Sequence, residues 1–303
     1  MGRMNLDVST GLSAGQREYQ EDALVTDFAQ GVETGFAVLA DGMGGHAAGD
    51  VASKIVVTEV FSQLKFRTSD APSFQAHAAD ILKDAANDAN ERLTQHVEEF
   101  PETRGMGATL VAPVIQENKL WWISIGDSPL FLFRDGELSQ LNEDHSMAPQ
   151  IDMMAKTGMM DPEVARDHPD RNCLTSVIFG EKIAQIDCPE EPVTLRPGDI
   201  VILASDGLQF LSDDEIGALL SVRKAGTSGQ ILELLMSALE KLQDPDQDNI
   251  SICVIKVNAA EEQKKDPPPP PSKPRLANFA PTRLISAPKK FFLRPAAYVS
   301  GGK

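Results

Sequence analysis

Phe36-Ala-Val-Leu-Ala-Asp41-Gly-Met-Gly-Gly-His46 is an apolar, strand-like run that stops at an acid and gives way to a glycine-rich turn. A run this apolar is no solvated edge, so Asp41 marks a place where a core meets a cleft. The arrangement recurs along the chain. Asp127 follows Trp121-Trp-Ile-Ser-Ile-Gly126, Asp206 ends Ile200-Val-Ile-Leu-Ala-Ser205, and Asp248 opens Asp248-Asn-Ile-Ser-Ile-Cys-Val-Ile255. Glu21 and Asp22 close the segment Arg17-Glu-Tyr-Gln-Glu-Asp22. Carboxylates at the ends of buried strands can converge in space although far apart in sequence. Such a cluster repels itself unless neutralised, and an all-oxygen ligand set selects hard divalent cations such as Mg2+ or Mn2+ over Zn2+. The sequence therefore reads as a metal-dependent enzyme. An Asp-Gly pair alone is only a turn signal, and Asp135-Gly136, between Leu130-Phe-Leu-Phe-Arg134 and Glu137-Leu138, reads as an ordinary hairpin.

Around these strand ends the pattern predicts an α+β fold. Residues 47–66 carry Val56, Val57, Val60, Phe61 and Leu64 at helical spacing, and residues 74–97 carry Ala78, Ile81, Leu82, Ala85, Ala89 and Leu93. Residues 109–115, 120–125 and 130–134 read as a meander, as do 200–204 and 250–257, with a second helix pair, 213–220 and 228–242, between the last two strands. Strands apolar on both faces and two separated helix pairs predict two stacked antiparallel sheets with helices outside each, a four-layer α-β-β-α sandwich.

Composition narrows the class. With 303 residues, 42% of them hydrophobic, the chain can bury a large core. No apolar run approaches the ~20 residues that span a bilayer, the N-terminus lacks a signal-peptide apolar region, and Asn5 and Leu6 fit a myristoylation signal poorly. Cys173, Cys188 and Cys253 lack Cys-x-x-Cys spacing and read as reduced thiols of a cytoplasmic protein. The net charge is −17, unevenly spread: from Asn258 onward nine Lys/Arg face three Asp/Glu, so the preceding body holds 19 basic and 42 acidic residues. A body that acidic excludes nucleic acid as substrate, because phosphate contacts need clustered Lys and Arg.

The blocks from Arg17 to Asp22, Asp41-Gly-Met-Gly-Gly-His46, Gly105-Met-Gly-Ala-Thr-Leu110, Gly126-Asp-Ser128, Asp144-His-Ser146, Ala204-Ser-Asp-Gly-Leu208 and Asp248-Asn249 stand in the order found in metal-dependent Ser/Thr protein phosphatases of the type 2C family. The chain resembles that family over residues 5–257, and Asp-Gly-Met-Gly-Gly is the form of its bacterial members. The resemblance implies the same four-layer fold and hydrolysis of phosphoserine and phosphothreonine in proteins by a water that two Mn2+ or Mg2+ ions activate. Asp41 would bridge the ions, with Asp206 and Asp248 on one and the Gly42 carbonyl and Glu21 on the other. Asp22 would hold water beside them, and Asp127 with Asp206 would form a third, weaker metal site. Arg17 would grip the phosphate through its planar fork, which Lys could not reproduce.

Residues 147–171, with Met153, Met154, Met159, Met160, Gly158, Asp161-Pro162 and His168-Pro169, read as a mobile subdomain, and in the family this position is the flap beside the active site. Several positions depart from the family pattern. Met43 stands where eukaryotic relatives have His and cannot donate a proton, so no leaving-group acid is assigned. His46 reads as packing or capping and His145 as a hydrogen-bonding residue. Gln20 replaces the common Asn, Ala108 the common Thr, and Pro129 the usual Arg. Residues 258–303, with five prolines from Pro267 to Pro271 and the patch Phe291-Phe-Leu293, read as a basic, disordered tail that either folds back on the acidic body or docks on a protein partner. The expected enzyme is a monomer that opposes a Ser/Thr kinase and binds neither membrane nor nucleic acid. The alternatives are a pseudophosphatase or phosphopeptide-binding module, which loss of a metal carboxylate would favour, and a small-molecule phosphatase.

Overall fold

The computed structural model describes residues 4–29, 33–44 and 48–259; His46 and tail residues 260–303 lie outside them. The strands are β1 (Met4–Ser13), β2 (Asp22–Phe28), β3 (Thr34–Met43), β4 (Gly107–Ala108), β5 (Leu110–Gln116), β6 (Lys119–Ile125), β7 (Leu130–Arg134), β8 (Glu137–Gln140), β9 (Val193–Thr194), β10 (Ile200–Ala204) and β11 (Ile250–Ala259). The helices are α1 (Ala48–Arg67), α2 (Ala71–Ala76), α3 (Ala78–Glu99), α4 (Ala148–Lys156), α5 (Pro162–Arg166), α6 (Asp213–Arg223) and α7 (Ser228–Leu242). One sheet runs β1-β11-β10-β7-β8; the other runs β2-β3-β5-β6-β9, with β4 paired to β3. Every pairing is antiparallel.

Period-2 alternation sorts the strand residues into layers. On β3, Phe36, Val38 and Ala40 face α1 and α3, while Ala37 and Leu39 enter the space between the sheets. On β10, Val201 and Leu203 meet them there, whereas Ile200, Ile202 and Ala204 pack under α6 and α7. Strand β11 repeats the division, with Cys253, Ile255 and Val257 inward and Ile252 and Val254 outward. Three apolar layers separated by two sheets are the α-β-β-α sandwich that the pattern predicts.

The helices start where their sequences permit. Ser212 with Glu215 caps α6 and Thr227 with Gln230 caps α7, each pair satisfying backbone N–H groups reciprocally. The helix expected over residues 74–97 is interrupted at His77, whose backbone (φ −137°) ends α2 and begins α3. Asp70 and Pro72 start the short α2 early, and the break lets Phe74 bury itself edge-on against Trp121 at 5.7 Å. The expected meander over residues 109–134 is also corrected. Strands β5 and β6 pair as a hairpin, but the chain then turns at Gly126 (φ 104°) and β7 joins the other sheet. Asp135 (φ 55°) and Gly136 (φ 94°) form the tight β7–β8 turn. Among the described residues no helix is long and apolar enough to cross a membrane.

Leu39 lies fully buried between the sheets. Leu39→Ala is expected to cost about 2–5 kcal/mol in urea unfolding, and Val222→Ala, exposed on α6, less than about 0.5 kcal/mol.

Candidate metal centre

Antiparallel topology brings the acids together. Asp22 opens β2 opposite Asp41 at the end of β3. Asp127 lies in the crossing from β6 to β7, Asp206 follows β10, and Asp248 precedes β11. All six carboxylates named from sequence therefore gather at one end of the sandwich, on the seam between its sheets.

Their titration records this proximity. Burial pushes the Asp41 carboxyl well above its ordinary value, and Asp22, Asp206, Asp127 and Asp248 each push it further. Asp41 therefore lies at the centre of the cluster. Burial raises Asp22 to about 6, opposed by a hydrogen bond from Ser205. Asp206 rises to about 6 through burial and then the Asp248 charge, and it shares a hydrogen bond with Asp41. Asp127 reaches about 7 through burial, with Asp206 and Asp144 adding repulsion. Burial also raises Glu21, against the pull of Arg17.

Backbones approach closely here because glycine allows it. A Cβ on Gly42 would lie 2.0 Å from the Gly49 carbonyl oxygen and 2.6 Å from that of Glu21. A Cβ on Gly49 would lie 2.4 Å from Glu21 Oε1, and one on Gly207 2.0 Å from the Asn249 carbonyl oxygen. The turn bearing Arg17 and Glu21 is clamped by Asn249, whose Nδ2 donates to the carbonyls of Ala14 and Tyr19 at 3.0 Å each.

Arg17 is 55% exposed in its side chain and pairs with Asp248 at 2.5 Å. Among the described residues, no three His, Cys, Asp or Glu side chains form a ready-made metal cage. The donor set nevertheless fits hard cations. It is all oxygen, its charges are mutually repelling, and Glu21 Oε1 and Asp22 Oδ1 are buried with no hydrogen-bond partner.

Beside the cluster, Asp127 and Asp206 line one wall of a cleft of ≈440 Å³ whose other lining includes Asp144, Arg171, Phe210 and Asp213. Arg171 is held by both oxygens of Asp152 on α4, at 2.6 and 3.0 Å. Met153 and Met159 of the same segment are exposed.

The departures noted in sequence find their places. His145 Nδ1 accepts from the Gly126 N–H at 3.3 Å, the expected hydrogen-bonding duty. Gln20 accepts from the Asp22 N–H and donates to the Ser13 carbonyl. The Pro129 carbonyl accepts from Ala204, and Met43 is partly exposed at the end of β3. Sequence reasoning assigned no role to Thr109, Ser128, Ser205 or Asn249. For Ser128, Ser205 and Asn249 the signal was a polar residue beside an acid at the edge of an apolar run; Thr109 has no acid beside it in sequence.

The protein phosphatase 2C profile matches residues 14–247, and the chain belongs to that family. It is 34% identical over 224 residues, 72% of its length, to the Mycobacterium tuberculosis serine/threonine protein phosphatase PstP, and spans 40% of that relative. The crystal structure of Staphylococcus aureus Stp1 superposes with a TM-score of 0.70 at 30% identity, covering 84% of this chain and 95% of that one. The catalytic domain of a PstP in complex with two manganese ions superposes with a TM-score of 0.64 at 29% identity, covering 84% and 99%.

The raised carboxyls fix the sign of a pH effect. Each contributes stability that is complete below its unfolded value of 3.8 and is lost as pH rises through its folded value of about 6 for Asp22 and Asp206 and about 7 for Asp127. In EDTA the melting temperature should therefore fall as pH is raised from 5 to 8, and saturating Mn2+ should flatten that fall. A level or rising EDTA profile would contradict the clustering.

Proposed function

We propose that this protein hydrolyses phosphoserine and phosphothreonine in proteins, dependent on Mn2+ or Mg2+. The observation that carries the reading is Asp41, a half-buried carboxylate under the repulsion of four others, two of which, Asp127 and Asp206, line the adjoining cleft. Asp41, Asp206 and Asp248, with Glu21 and the Gly42 carbonyl, would hold two divalent cations; Asp22 would hold water, and Asp127 with Asp206 a third, weaker site. When bound, such ions act as Lewis acids on the phosphoryl oxygens and lower the pKa of the attacking water.

The chain's own residues supply the rest. Arg17 pairs with a carboxylate at the cluster and is exposed enough to turn its fork to a phosphate. The cleft beside Asp127 and Asp206 gives room for the residues flanking the phosphate, and we assign residues 147–171 the part of a flap that selects protein substrates. Asn258 and Ala259 belong to β11, and the residues after them, 260–303, are proposed to engage a protein partner or substrate and to be dispensable for turnover of small phosphate esters. The three cysteines are free, and burial pushes the Cys188 and Cys253 thiols to about 12, in keeping with action in the cytoplasm.

Phosphopeptide hydrolysis should cease in EDTA and return with Mn2+. Asp41→Asn and Asp206→Asn should each lower kcat by about 10²-fold or more, with melting temperatures in EDTA unchanged or raised because repulsion is relieved. Near-normal Mn2+-dependent turnover by either variant would refute the mechanism. Arg17→Ala should raise KM for phosphopeptides more than it lowers kcat if the contact is made in the ground state, and lower kcat if it tightens in the transition state; no change in either constant removes Arg17 from the site.

A further inference from the structure

The proposed metal ligands belong to two different sheets. Glu21, Asp22 and Asp41 come with β2 and β3, Asp206 and Asp248 come with β10 and β11, and Asp127 lies in the crossing from β6 of one sheet to β7 of the other. Along the middle of the seam the sheets meet through apolar side chains, which are not directional, and away from the metal end Arg134 of β7 donates to the Thr194 carbonyl of β9. Such packing tolerates small slides, and a site shared between two metal ions does not.

Besides the bond that Asp206 shares with Asp41, three further hydrogen bonds cross the seam at the metal end. Ser205 Oγ donates to Asp22 Oδ2 at 2.7 Å; Thr109 Oγ1 and Ser128 Oγ lie 2.8 Å apart; the Glu21 N–H donates to Asn249 Oδ1 at 2.7 Å. In each bond, the residue from the β7-β10-β11 side is the chain neighbour of a proposed ligand: Ser205 of Asp206, Ser128 of Asp127, Asn249 of Asp248. On the other side the bond reaches a ligand directly, at Asp22 and Glu21, or through one link, since Thr109 Oγ1 accepts from the Asp41 N–H at 2.9 Å.

The Ser205–Asp22 and Thr109–Ser128 bonds are buried, the Glu21–Asn249 bond is part-buried, and their direction is largely determined. Ser205 is fully buried, Ser128 is 1% exposed and Thr109 2%. Ser205 Oγ accepts from the Ser251 N–H at 3.0 Å, which commits a lone pair and leaves its proton for Asp22. Asn249 uses its carbonyl on Glu21 and its amide on the Ala14 and Tyr19 carbonyls. A buried hydroxyl without its partner costs about 1–3 kcal/mol, so these contacts resist sliding more than the apolar seam does.

We propose that Ser205, the Thr109–Ser128 pair and Asn249 are positioning residues that lock the two sheets in register and so set the spacing of the two halves of the metal site. Asp41 and Asp127 are the pair most directly governed by Thr109–Ser128. Asp22 and Asp206 are governed by Ser205, and Glu21 and Asp248 by Asn249. The proposal rests on the metal reading above and adds the residues that make the site rigid enough to hold two ions.

Ser128→Ala is the cleanest test, because it removes only the crossing bond and leaves Thr109 on the Asp41 N–H. Calorimetric titration with Mn2+ should show binding weakened by about ten-fold, with Ser128→Thr retaining affinity and Ser205→Ala weakening it further in the double variant. Leu235→Ala, in the layer under α7, serves as the control: it should lower the melting temperature and leave Mn2+ affinity unaltered while the protein is folded. Unchanged Mn2+ affinity in Ser128→Ala and Ser205→Ala overturns the proposal and leaves the metal reading standing. Equal weakening in Leu235→Ala also overturns it, by reducing the effect to general stability. If the unaltered protein takes up no Mn2+, both readings fall together.

Discussion

Everything at the functional end of this protein answers to one electrostatic constraint: carboxylates carried by two separate sheets must be desolvated within reach of one another. Burial and mutual repulsion both favour the neutral acids, and the shifts of Asp41, Asp22, Asp206 and Asp127 all run that way. The fold bears this cost by placing each acid where a strand has just ended. The bodies of β3, β5 and β10 contribute to three apolar layers, and the clustered carboxylates lie at or beyond strand ends. Glycines at 42, 49 and 207 then let backbones close up where a methyl group would collide. A destabilised tip is supported by a stable body, the usual division between an active site and its scaffold.

The Arg17–Asp248 pair fits the same constraint. Its side chains are 55% and 30% exposed, and ion pairs so open to water contribute about 0–1 kcal/mol. So weak a contact neutralises Asp248 without trapping the arginine. Little free energy opposes its transfer to a phosphate, whereas a buried pair would cost several kcal/mol to break.

Much of this could be read from sequence, for a physical reason. Strands β3, β5, β6, β10 and β11 are apolar on both faces, because each is sandwiched between a helix layer and a second sheet, and such runs are conspicuous. The acids were legible because they interrupt those runs. Strand β1 was not, since Asn5, Asp7 and Ser9 alternate with its apolar residues at the sheet edge, where one face meets helix α7 and polar groups are tolerated. The change of sheet between β6 and β7 was hidden because a two-sheet crossing and a hairpin can use the same glycine turn. The break at His77 was hidden because Phe74 keeps helical spacing with Ala78 and Ile81 across it. The seam hydrogen bonds lay beyond any local pattern: Ser205 and Asp22 are 183 residues apart.

Strand β1 pairs along its whole length with β11, from Met4 opposite Ala259 to Ser13 opposite Ile250. Of the described strands, β1 leaves the ribosome earliest and waits for β11, the latest of them, and the Arg17–Glu21 turn finds Asn249 only just before that strand is made. Contacts this distant in sequence form late in folding, after the entropy of closing a long loop has been met. A nascent chain stopped before Asp248 lacks that carboxylate, Asn249 and all of β11, and has nothing to pair with β1 or fix the turn. The active end of the molecule therefore also reports that synthesis has run past β11.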